Sequence, residues 1–243
     1  MIKTWMTPWL LMAVPFLGAT LSLLLRTSLQ RMKTSALLTT VASMLVVIGT
    51  PWALGDTLAG VPFLCLLPLT AFLSLLGQPL HRDNTSAWTT TLVLLGLGLG
   101  ILTAQAPVHD VMLLILPGLL CILLYRYQSG ATPETWRGLS AYGLSMMSAA
   151  LALVLPTPAS TVALLVTCAT LLPLLPVHSG FIATLTGLPG NLPAFLVFLL
   201  PTVGFHTLLM LLPNLTVTTP HTIAILALAG AVYGSLRSLI QAP

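Results

Sequence analysis

The chain alternates long apolar runs with short polar punctuation, and every one of its twelve charged residues falls at the end of a run. Lys3, Arg26, Arg31, Lys33, Asp56, Arg82, Asp83, Asp110, Arg126, Glu134, Arg137 and Arg237 leave the centres of the runs neutral. A spanning helix needs about 20 apolar residues, because hydrocarbon offers the backbone no hydrogen-bond partners. Reading between the charges and the Pro/Gly/Asn clusters predicts nine spans: 7–25, 36–54, 57–77, 87–105, 109–126, 137–155, 160–176, 191–212 and 220–240. None alternates with period two, which excludes an outer-membrane barrel. The expected fold is an all-α polytopic membrane protein, one transmembrane helical domain over 1–243. The longest polar connection expected runs from Tyr125 to Arg137.

Charge placement then orients the bundle. With these spans, seven of the eight Lys/Arg lie on one side, and only Lys3, with Asp56 and Asp110, lies on the other. Basic loops stay cytoplasmic, so the N-terminus is expected outside and the C-terminus inside, with the bacterial inner membrane as the expected location. The run from Pro8 to Leu25 reads as a first span and not as a cleavable signal peptide, since no small-residue cleavage site follows.

Composition agrees: 57% of residues are hydrophobic, 5% are charged and the mean hydropathy is +1.04. A soluble surface carries about 25% charged residues. The basic excess does not point to nucleic acid, because it sits in short inter-span connections. The cluster Arg26 to Lys33 could touch anionic lipid headgroups, but topology setting accounts for it alone. Cys65, Cys121 and Cys168 read as buried small hydrophobes, with no metal or cofactor expected. The four acidic residues, all at span ends, supply no carboxylate pair for acid–base work. Gly96, Gly98 and Gly100, inside a span, are expected to let helices pack closely.

The stretch from Leu171 to Pro193 is the least regular. Pro173, Pro176, Gly180, Gly187, Pro189, Gly190 and Pro193 crowd into it. Proline removes a backbone donor and clashes with the preceding turn, so a broken seventh helix is expected. Such breaks mark transport sites in many carriers; a re-entrant interfacial loop is the other reading.

Pro173-Leu-Leu-Pro-Val-His178, then Pro189, then an apolar helix to Leu211-Leu-Pro213 resembles the heart of the antiporter-like membrane subunits. These include the proton-pumping subunits of respiratory complex I and the Mrp cation/proton antiporters. They also include the membrane partners of some hydrogenase and inorganic-carbon uptake complexes. The segment Leu226 to Ile240 looks like the family's following helix, and Leu94 to Leu123 is similar in layout to its fourth and fifth. The resemblance covers about residues 90–243, as helices four to nine of the first half of the family's bundle. It implies a proton path built on a membrane-embedded Glu and two Lys. Those positions fall here at Pro117, Leu171 and Thr202. The family's Trp-Leu-Pro-Asp-Ala-His stretch is replaced by Gly180-Phe-Ile-Ala-Thr-Leu185.

His178 and His206 are then the side chains near mid-bundle that titrate near neutrality, with Thr202 on the face of His206. His178, Thr202 and His206 form a candidate polar path, or each His bonds across a helix interface. His109 and His221, at span ends, and His81, in a loop, read as solvated. The expected function is an accessory, non-catalytic subunit that docks among other integral membrane subunits of a larger complex. The alternative is a subunit of a proton- or cation-coupled transporter, for example of inorganic carbon, that lends His178 and His206 to an ion path. An independent transporter or enzyme is the least supported reading, and no activity is expected of the chain on its own.

Overall fold

The structure of the chain, a computed structural model, describes residues 2–54, 61–127, 133–172 and 179–215, together with Ile225 and Leu228. The described residues form helices and no strand. They are α1 (Ile2–Leu24), α2 (Leu29–Leu54), α3 (Val61–Leu76), α4 (Thr85–Thr103), α5 (Val108–Tyr127), α6 (Pro133–Val154), α7 (Ala159–Leu171), α8 (Ser179–Gly187) and α9 (Leu192–Leu211). Single 3-10 turns occupy Arg82–Asn84 and Leu212–Asn214.

Eight of the nine expected spans have a helix in place, and the ninth, at 220–240, lies almost wholly outside the described residues. Four stretches are long and apolar enough to cross a membrane: Leu29–Thr50, Thr85–Thr103, Val108–Tyr127 and Leu192–Leu211. Pro8–Leu24, Leu64–Leu76 and Ala159–Leu171 are shorter apolar stretches. These helices are compatible with a membrane protein.

Two boundaries differ from expectation. Helix α6 starts at Pro133 and α5 continues to Tyr127, so the connection expected from Tyr125 to Arg137 is shorter. Proline suits the first position of a helix, where its missing N–H is not needed. Arg137 therefore lies within the first turns of α6, exposed on its surface. Helix α7 ends at Leu171, two residues before Pro173, whose ring disfavours helical backbone at the residue before it.

Helix α4 is the hub. It packs against α1, α2, α3, α5 and α9, and 78% of its spanning window is buried against 39–44% for the other three long helices. The glycines expected to permit close packing do so. A Cβ at Gly98 would lie 2.5 Å from Leu199 Cδ1 and 2.9 Å from Leu67 Cδ2, and one at Gly100 would meet the Met12 and Met112 sulfurs. Around this hub run Leu67, Leu94, Leu95, Leu99, Leu113, Leu116, Leu196 and Leu199, all fully buried. The outward faces are apolar too, with Leu17, Leu38, Leu45, Ile115, Ile122, Met147 and Leu151 exposed.

Candidate functional site

Helix α7 stops at Leu171 and α8 begins at Ser179, and both follow α6 in the same direction. Thr167 of α7 bonds the Ser145 carbonyl, whereas Gly180 and Ala183 of α8 lie against Ala141 and Gly138. The chain thus resumes its helical descent along α6 after the break, so the seventh helix is discontinuous. Tyr142 secures the resumed piece. Its hydroxyl donates to Thr184 Oγ1 at 2.7 Å, and Thr184 in turn donates to the Gly180 carbonyl at 2.8 Å.

Gly190 and Asn191 hold the start of α9. Gly190 has φ 66°, and a Cβ there would sit 3.1 Å from Ala87 Cβ and from Asn84 Oδ1; both conditions favour glycine. Asn191 is fully buried and donates through Nδ2 to Thr91 Oγ1 at 2.7 Å and Ser74 Oγ at 3.3 Å, while its Oδ1 finds no partner among the described residues. One amide thus ties α3, α4 and α9 together.

At the opposite end of α9 lies the cluster with the most chemistry. The main chain turns from α4 into α5 through Ala104–Pro107, and the Gln105 carbonyl accepts from the His109 N–H at 3.0 Å. This places His109 in the first turn of α5, buried to 3% exposure against α9. Its Nδ1 lies 2.9 Å from Asp110 Oδ1 and its Nε2 lies 3.2 Å from Thr207 Oγ1. The His206 ring lies 6.2 Å away, centroid to centroid, tilted by 53°. His206 is half-buried, and its Nε2 is enclosed without a partner among the described residues.

Hydrogen-bond direction is set on one side of this cluster. Thr207 donates its hydroxyl to the Val203 carbonyl at 3.0 Å, so its oxygen accepts from His109 Nε2–H.

The expected site residues are distributed differently. His178 lies outside the described residues. Thr202 is half-buried and its hydroxyl donates to its own helix, at the Phe198 carbonyl, at 2.7 Å. His206 is brought together with His109, Asp110 and Thr207. The solvated reading of His109 is corrected: a position at the end of one helix became interior because α9 covers it. Pro117 is buried in α5 and Leu171 is 0% exposed. Leu171 and Leu172 pack onto Gly204, where a Cβ would lie 3.3 and 2.9 Å from them. Among the described residues, Arg26, Arg31, Arg82, Arg126 and Arg137 are exposed, Lys33 and Asp110 are half-buried, and none of these seven is buried. No group of three potential metal ligands occurs among the described residues. Searches of protein-family models, of curated proteins and of solved structures find no match to this chain.

Proposed function

We propose that this chain is an accessory, non-conducting helical subunit of a larger integral membrane complex of the complex I or Mrp antiporter type. It sits in the bacterial inner membrane with its N-terminus outside, and docks against other membrane subunits. Outward-facing leucine, isoleucine and methionine at mid-helix support the membrane setting, since soluble surfaces rarely carry such continuous apolar area. The observation that carries the subunit role is the closure of the positions where a proton carrier is implied. Pro117 and Leu171 are packed core, and the Thr202 hydroxyl is spent on its own helix. The neighbouring subunits then supply any conduction. In the purified native complex, His178→Gln with His206→Gln leaves turnover and ion flux at the wild-type level. Loss of flux with intact assembly refutes the accessory role.

A second reading draws on the histidine cluster. His109, hydrogen-bonded to Asp110 and Thr207 and set beside the His206 imidazole with its open nitrogen, supports a reading in which this end of the bundle handles protons. In that reading the chain lends this end of a path to a proton- or cation-coupled complex. His109→Gln alone then abolishes flux in the assembled complex while Thr202→Val does not.

A further inference from the structure

Helices α1 and α2 enclose an open groove of about 910 Å³, within the size range of small-molecule sites (~300–1,000 Å³). One wall carries Val14, Leu21 and Leu25 at helical spacing, and the other carries Arg31, Ser35 and Leu38. Charge is segregated along it. The wall residues of α1 are apolar, and the end beside the α1–α2 turn presents the guanidinium of Arg31, exposed and without an ion pair among the described residues. Lys33, two residues on, is engaged elsewhere, donating to the Leu76 and Gln78 carbonyls at the end of α3. Topology setting needs a positive charge in this turn but no groove beneath it.

We propose that this groove holds one anionic glycerophospholipid. An acyl chain lies along Leu21, Leu38 and Val14, and the headgroup phosphate accepts from the Arg31 guanidinium. The fit is by charge complementarity: one unpaired cation at the headgroup level, and an apolar α1 wall with Leu38 opposite for the tail. A zwitterionic lipid offers the same tail but adds an ammonium that Arg31 repels. The inference rests on the membrane setting proposed above and is independent of the subunit role.

The test uses the full chain in nanodiscs of phosphatidylcholine with a minor fraction of phosphatidylglycerol, and native mass spectrometry counts the lipid retained after release. One phosphatidylglycerol per chain is retained in preference to phosphatidylcholine. Arg31→Gln lowers that preference roughly fivefold, the effect of one basic residue at the lipid surface. Arg26→Gln leaves it unchanged. Ala42→Phe, which obstructs the groove without touching charge, displaces the retained lipid of either kind. Equal retention of both lipids by the wild type overturns the proposal, and so does an equal response to Arg26→Gln and Arg31→Gln, which marks a diffuse basic surface. Retention that inorganic phosphate competes away overturns it as a phosphate site. Failure of the chain to enter nanodiscs refutes the membrane setting itself, and the groove proposal with it.

Discussion

Gly138→Ala probes the seam where the broken helix resumes along α6. The added Cβ would lie 2.6 Å from Ala183 Cβ on α8 and 3.2 Å from Leu124 Cδ1 on α5. Carbon atoms rest at about 3.5–4.0 Å, so α6 and α8 must part by about 1 Å. Ala183 has no rotamer by which to yield, and Leu124 is fully buried. Overpacking of this kind costs about 1–3 kcal/mol. One turn along the same seam, the Tyr142–Thr184 hydrogen bond would be stretched, adding about 0.6 kcal/mol, the average for such contacts in a membrane protein. The control is Gly143→Ala, on the same helix five residues on, where a Cβ meets nothing within 4 Å. Equilibrium unfolding in mixed micelles should show Gly138→Ala destabilised by about 2 kcal/mol and Gly143→Ala between wild type and about 1 kcal/mol more stable. Adding Ala183→Gly to Gly138→Ala should recover much of the loss, less about 1 kcal/mol for a glycine inside α8. Equal behaviour of the two single variants, or no rescue by the second change, would refute the packing of α8 on α6.

Three further outcomes follow from the same structure. Leu171→Lys places a charge at a fully buried position and should cost at least about 2.5 kcal/mol; fluorescence-detected size exclusion should show collapse of the monodisperse peak, with Leu171→Met unaffected. Asn191→Ala removes the amide that links α9 to Thr91 and Ser74 and should destabilise by about 1–2 kcal/mol, read as a lowered melting temperature that Gln78→Ala, near the end of α3, does not reproduce. Thr207→Val removes the acceptor on His109 Nε2, so the ring-nitrogen resonances of His109 should move in this variant and stay in place in Thr202→Val.

The helical layout was legible in the sequence because charges and prolines bound the spans, and burial on a helix leaves a long apolar run. The end of α7 at Leu171 was legible from the crowding of Pro and Gly that follows it, although single prolines such as Pro68, Pro117 and Pro201 lie within continuous helices. Helix α8 was not. Nine residues with Gly at both Gly180 and Gly187 show no helical signal of their own, and α8 is held by Ala141, Tyr142 and Gly138 of a different helix. The start of α6 was missed because Glu134 and Arg137 read as loop charges, although both fit on the first turns of a helix. The Gly96-to-Gly100 packing was readable, because small residues inside a span have little other use. The site was the least readable part. His206 stood out as a titratable residue inside an apolar run, but the ring beside it, His109, comes from 97 residues earlier in the chain. Only the docking of α9 against the start of α5 turns a span-end histidine into a buried one. Asn191 carried a weaker signal, an amide between Gly190 and the apolar run of α9, which suggested a turn and gave no hint of its bonds to α3 and α4.

Proton flux through the isolated chain decides between a borrowed and an intrinsic path. The purified protein is reconstituted into liposomes containing a pH-sensitive dye, with an imposed pH gradient and a potassium diffusion potential. Under the proposed accessory role the gradient should decay at the rate of protein-free vesicles. A flux that rises with protein content and disappears in His109→Gln or His206→Gln would show that the chain conducts by itself, and would contradict the accessory role.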